Sequence, residues 1–183
     1  MRNKNYDYST DGDVSYVYLT QRNGDRHTVI INTYNLDKML NYEYKWGVYF
    51  DPCTSSFYVT ATKYIGTING KPKYETVYLH RFLLGIIDRK IHIDHENHNM
   101  LDNRDENLRV SNHTDNNKNR KSKNSNNKSG YRNVSWIDNY WRVQLQIDGK
   151  NHMFPEKFTD VDLAGQFAEE MRQRYYGEFA GFN

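Results

Sequence analysis

Residues 91–117 read IHIDHENHNMLDNRDENLRVSNHTDNN. IHIDH and LRVS are short strands separated by a polar loop, and residues 111–121 form a polar helix candidate. In a hairpin of this size backed by a helix, the end of the first strand faces the helix across a narrow cleft. Asp94 and Asn116 then approach from opposite sides, and both offer hard oxygens. A magnesium-like cation takes few protein oxygens and keeps water and substrate phosphate in its other positions. His95 lies beside them, and an imidazole that titrates near neutrality can take a proton from water attacking a phosphodiester. Two other readings of the segment stand beside this one. His92, His95, His98 and His113 could form a histidine-rich zinc site, although no thiolate helps and positions 92 and 95 of a strand point to opposite faces. The asparagine-rich run could also be turn chemistry alone, with Asp94-His95 a surface pair.

Outward toward the N-terminus, LHRFLLGII (79–87) is a short buried helix by its apolar content. Before it, DVSYVYLT (13–20), TVIINTY (28–34), YKWGVYF, FYVTATKYI and ETVYLH all carry strand patterning, with turns at Asn23-Gly24 and Asn69-Gly70. Outward toward the C-terminus, Lys118, Arg120, Lys121, Lys123, Lys128 and Arg132 fall in one stretch without an acid, amid Asn and Ser. Composition makes this a polar linker, and its charge suits a strap that follows a phosphate backbone. Three strands follow, GYRNVSW, YWRVQLQID and KNHMF, then a helix from about Asp160 to Tyr176. Val161, Ala164, Ala168, Met171 and Tyr175 make its apolar stripe, Thr159 can cap it and Gly177 can stop it. In YWRVQLQID, Trp141, Val143, Leu145 and Ile147 share one face, and Arg142, Gln144, Gln146 and Asp148 the other. The polar face carries groups able to bond guanine and adenine edges in a major groove.

The whole chain has 183 residues, a net charge of +2, 37% hydrophobic residues and 15% aromatic ones. Small cores built on large rings are expected rather than one thick core. Residues 1–80 nearly cancel in charge, so the basic excess sits in the linker. No run of about 18 apolar residues is present and MRNKNYDYST lacks an apolar signal region, so neither a membrane partner nor secretion is expected. Cys53 is the single cysteine, which excludes an internal disulfide. A cytoplasmic, intracellular protein is the expectation.

The central segment resembles the HNH endonuclease family in its homing and mobile-element version. Leu79-His80-Arg81, Asp94-His95, Asp102-Asn103-Arg104-Asp105-Glu106-Asn107-Leu108-Arg109 and Asn116 carry the likeness in residue and in spacing. The resemblance implies His95 as general base and Asp94 and Asn116 as ligands of one divalent metal, Mg²⁺ or Mn²⁺, per active site. It implies Asn107 as the middle asparagine of the catalytic set, tying the loop and holding the hairpin. His98 stands where the family has Gly, Glu96 where an apolar residue is usual, and Met100 where Pro is common. His98 can take the left-handed conformation at some strain. His80 reads as a buried packing residue rather than a catalytic one.

Residues 129–183, SGYRNVSWIDNYWRVQLQIDGKNHMFPEKFTDVDLAGQFAEEMRQRYYGEFAGFN, look like the plant ethylene-response-factor (ERF, apetala-type) DNA-binding domain. Gly130-Tyr131-Arg132, Val134-Ser135-Trp136, Trp141, Gly149-Lys150, Ala164, Ala168, Gly177-Glu178-Phe179-Ala180 and Asn183 carry that likeness. Arg132, Gln144 and Gln146 match positions that face DNA in that family. Asn133 replaces a usual Gly, and Phe154–Phe158 is one residue longer than the family's turn.

The expected architecture is therefore α+β. It comprises a strand-rich region (1–75), a central ββα-metal HNH motif (76–120), a basic linker (121–129) and a three-stranded antiparallel sheet backed by one helix (130–183). The expected activity is hydrolysis of phosphodiester bonds in double-stranded DNA, with Lys118, Arg120, Lys121, Lys123, Lys128, Arg132, Arg142, Gln144 and Gln146 holding the DNA. The alternative is a non-enzymatic, sequence-specific DNA-binding regulator on an inactive HNH scaffold. Monomer and dimer are both compatible with the sequence.

Overall fold

The computed structural model describes residues 6–111, 118 and 126–181. The chain divides into two units, Met1–Ser111 and Asn112–Asn183. It is an α+β protein of several small antiparallel sheets and few helices.

In the first unit, β1 (Asp7–Asp11), β2 (Val14–Thr20) and β3 (Arg26–Asn32) form one antiparallel sheet. The alternation of VSYVYLT buries Val17 and Leu19, and Val29 and Ile31 on β3 meet them. β1 is fully exposed and polar, so it lacks the alternation that announces a strand, and only its pairing to β2 reveals it. After the short helix α1 (Leu36–Leu40) come β4 (Trp46–Asp51), β5 (Ser56–Ile68) and β6 (Lys71–Tyr78), a second antiparallel sheet. Asn69 and Gly70 both have positive φ, 50° and 73°, as a tight primed hairpin turn requires.

α2 (Leu79–Leu84) follows without a break. It is shorter than the expected 79–87 because Gly85 turns left-handed at φ 69°, and the Ile86 amide donates back to the Arg81 carbonyl at 3.0 Å. Leu79 and Leu83 reach the core between the sheets, where Met39 and Trp46 are also buried. Each such side chain contributes about 1.5–3 kcal/mol over leaving it exposed. The unit ends with the two-stranded hairpin β7 (His92–His95) and β8 (Leu108–Ser111).

In the second unit, β9 (Val134–Ile137), β10 (Tyr140–Ile147) and β11 (Lys150–Met153) form an antiparallel sheet with β10 central. Val143 and Leu145 on its apolar face pack with Ala164, Ala168 and Met171 of α3 (Val161–Tyr176). Asp160, rather than Thr159, caps α3, accepting from the amides of Asp162 and Leu163. Tyr175 lies outside the buried stripe, 43% exposed. Arg172 is fully buried instead, with its guanidinium donating to the Arg132 carbonyl at 3.2 Å. Among the described residues no helix is long and apolar enough to cross a membrane.

Candidate functional site

The β7–β8 register sets Asp94 opposite Arg109 and His95 opposite Leu108. Asp94 and His95 are the buried end of β7, 6% and 2% exposed. Arg109 donates to Oδ2 of Asp94 from Nε at 3.0 Å and from Nη2 at 2.9 Å, which fixes the carboxylate beside the imidazole. The sequence displayed Arg109 within the motif, but only the cross-strand register assigns it this partner.

The loop between the strands is held by its own polar residues. The Asn107 carboxamide spans it, donating to the Asp102 carbonyl at 2.7 Å and accepting from the Asn97 amide at 2.9 Å. Asp102 takes both oxygens of its carboxylate to Arg104 at 2.8 Å each, and accepts from Asn97 at 2.9 Å. Burial pushes the Asp102 carboxyl up, but Arg104 and Asn97 outweigh it and hold the group below the usual carboxylate range. His98 has φ 57°, so a side chain occupies a left-handed position suited to glycine. Its amide closes the turn on the His95 carbonyl at 3.0 Å.

The N-terminal sheet clamps the same loop from outside. β3 runs beside it, with the Ile30 amide on the Leu101 carbonyl at 2.8 Å and the Asn103 amide on the Ile30 carbonyl at 2.7 Å. Asn32 accepts from the Asp105 amide at 2.8 Å and donates to Glu106, and the Tyr34 hydroxyl donates to Asp105. The sequence carries no motif in residues 1–75 and favours a role in packing against the central segment over added DNA contacts; it does not single out Asn32 and Tyr34, which lie some 70 residues from their partners.

His80 stands at the other side of the imidazole. It is 8% exposed, and its ring meets the His95 ring edge-on at 5.2 Å between centroids. Burial, then the neighbouring charges of His95 and Arg81, brings His80 down to about 3. Burial also lowers His95 to about 4, against the opposing pull of the Asn103 carboxamide and the carboxylates of Asp94 and Asp102. Both rings are therefore neutral at pH 7. Among the described residues, Nε2 of His95 has no hydrogen-bond partner.

The donor chemistry present is one oriented carboxylate, Asp94, next to an imidazole whose Nε2 is buried without a hydrogen-bond partner among the described residues, a pairing of types that fits a hard divalent ion and a proton acceptor side by side. Asn116, the second implied ligand, lies outside the described residues, as do Arg120, Lys121 and Lys123. Among the described residues no three His, Cys, Asp or Glu side chains gather to hold a metal. His92 is exposed while His95 is buried, so the histidine cluster is not brought together there.

In the second unit, Gln146 is exposed and Arg142 and Gln144 are half-buried on the sheet face opposite α3. Arg142 donates to the Phe154 carbonyl at 3.0 Å. Asn133 fills its glycine-like position with φ 66° and donates to the Gln144 carbonyl at 2.9 Å. Arg132, expected on DNA, is instead 8% exposed, donating to the carbonyls of Lys118 at 2.8 Å and Ala180 at 3.4 Å. Its charge is used to join chain segments inside the unit. Lys128 is exposed, and Lys118 lies 5.4 Å from the Tyr176 ring centroid.

The chain is 32% identical over 125 residues to an uncharacterized HNH endonuclease of Acanthamoeba polyphaga mimivirus. The match takes in 62% of this chain and 64% of the viral protein, so it spans less than two thirds of that relative. No family model matches, and no solved structure matches significantly. The likeness to a protein named as an HNH endonuclease agrees with the family resemblance carried by Asp94-His95 and Asn107.

Proposed function

We propose that this protein is an HNH-type endonuclease that hydrolyses phosphodiester bonds in double-stranded DNA, of the kind found in homing and mobile elements. The observation that carries the reading is the adjacent pair Asp94 and His95, buried at the end of a hairpin whose loop is tied by Asn107. The likeness to the mimivirus protein supports it.

In this reading Asp94 and Asn116 hold one Mg²⁺ or Mn²⁺. The bound ion would neutralise charge on the phosphate and assist the departing 3′ oxygen. Arg109 orients Asp94 through two hydrogen bonds to one oxygen. His95, neutral at pH 7, accepts the proton of the attacking water at a ring nitrogen. His80, in edge contact, limits how far that ring can swing. Asn107 acts by positioning: it fixes the distance between the loop and the strand end. The exposed Gln146, with Gln144 and Arg142, gives the second unit a polar face for a DNA groove, and Lys128 with the basic stretch before it adds phosphate contacts.

The test is cleavage of supercoiled plasmid by protein cleared of host nucleases. Nicking or linearisation in Mg²⁺ that stops with EDTA and returns with excess Mg²⁺ is the expected result. Sequence-specific binding without cleavage in either Mg²⁺ or Mn²⁺ would instead select a DNA-binding regulator.

A further inference from the structure

The β5–β6 ribbon outruns the sheet it belongs to. From Thr62 to Thr76 every residue is exposed except Gly66 and Glu75, which are half-buried. Alternation puts Lys71, Lys73 and Glu75 on one face of β6, and the register sets Lys63 opposite Glu75. That face continues into a cavity of about 1080 Å³ closed by α2 and the turn after it. Lys38, Lys63, Lys73, Arg81 and Arg89 line it, with Glu75 the lone acid of the lining.

Three of these cations are built into the wall. Lys38 donates to the Leu83 carbonyl at 2.8 Å, Arg81 to the Ile91 carbonyl at 2.9 Å, and Arg89 to Glu75 at 2.7 Å. Lys63 and Lys73 make no ion pair or hydrogen bond among the described residues, so their charge is free for a ligand. Tyr74, 57% exposed, and Ile87, 91% exposed, also line the cavity. Tyr74 alternates with Lys73 along β6 and its exposed ring stands edge-on to Tyr64 at 5.7 Å, so unpaired ammonium groups and an aromatic pair flank the edge of the ribbon, an arrangement that fits flat bases on a phosphate chain. An acidic peptide would use the charge but not the ring. A compact space of this volume takes the bases and phosphates of a single strand but not the full width of a duplex.

We propose that the groove between the β5–β6 ribbon and α2 binds an unpaired nucleic-acid strand, with Lys63 and Lys73 on phosphates and Tyr74 stacked on a base. The groove is separate from the Asp94–His95 chemistry, since α2 turns His80 toward His95 and Arg81 and Phe82 toward the groove. Binding there does not depend on cleavage.

Fluorescence anisotropy of a short labelled single-stranded oligonucleotide, with the full chain in EDTA, tests this apart from any nuclease activity. Lys63→Glu with Lys73→Glu should weaken binding by about tenfold or more and flatten its salt dependence. Tyr74→Ala should weaken it by about tenfold. Arg22→Glu with Arg26→Glu, an equal charge change at exposed positions of the β2–β3 turn, should change it by no more than about twofold, because distant charges are screened. Thermal melts establish that each variant is folded. Equal losses in the groove and control pairs, an unaffected Tyr74→Ala protein, or a loss confined to duplex DNA would each overturn the proposal.

Discussion

The β7–β8 hairpin and the β9–β11 sheet are both small antiparallel structures, held together by different forces. The sheet rests on an apolar face: Val143 and Leu145 against Ala164, Ala168 and Met171. The hairpin's loop rests on side-chain hydrogen bonds: Asn107 to two backbone groups, Asp102 to Arg104 and Asn97, and Asn32 to residues beyond it. Dispersion and hydrophobic burial are not directional, so an apolar face tolerates a change of shape that keeps its volume. Hydrogen bonds fix positions to tenths of an ångström and leave a buried orphan when one partner goes. A centre that must hold a carboxylate beside an imidazole is better served by the second kind of support.

The sharpest way to break this comparison is with acid. His80 and His95 have folded-state values of about 3 and about 4, below the ordinary 6.5 of an unfolded chain. Between those values the unfolded chain binds more protons, so folding stability drops as pH falls from about 6.5 toward 4 and then 3. The loss in the first unit should be on the order of a few kcal/mol. The first unit holds Trp46 and the second Trp136 and Trp141, so single-tryptophan proteins report the units separately. Trp46 fluorescence should show the acid transition at lower denaturant than the second-unit signal, and His80→Phe should flatten it. Coincident transitions at every pH would refute the difference.

Asn107→Ala is the next largest effect. It leaves the Asp102 carbonyl and the Asn97 amide without their partner, a cost of about 1–3 kcal/mol in chemical denaturation. Cleavage should fall by more than the lost stability explains, because the loop carries Asp102 and Asn103 toward His95. Asn107→Asp keeps one acceptor and should recover part of the stability. Smaller and confined to the other unit is Gly165→Ala. A Cβ there would sit 2.4 Å from the Tyr131 ring, forcing the ring or α3 to shift at about 1–3 kcal/mol. Tyr131 can move only by giving up its 2.7 Å bond to Asp162. This variant should lower the second-unit transition and leave that of Trp46 in place.

Much of this was legible in residues 91–117. Strand, polar loop and strand are readable from alternation and turn residues, Asp94 and His95 stand out as a carboxylate beside an imidazole, and the resemblance to the HNH family adds Asn107. Period-two patterning also marked the sheet of the second unit and its buried face. What escaped depends on partners distant in sequence. Arg132 carries the composition of a surface residue, yet carbonyls of Lys118 and Ala180 satisfy it inside the unit. Asn32 and Tyr34 look like ordinary strand-end residues until the loop is laid beside β3. β1 has no apolar alternation, because an exposed edge strand buries nothing. The Arg109–Asp94 pair follows from strand register, which a motif does not specify.

The most direct measurement is the plasmid cleavage rate of His95→Ala against the unaltered protein in saturating Mg²⁺, both shown to be folded by thermal melting. A general base of this kind contributes about 10²- to 10⁴-fold, and the variant should lose at least that lower factor while still binding DNA. A folded His95→Ala protein that cuts at the unaltered rate would contradict the account.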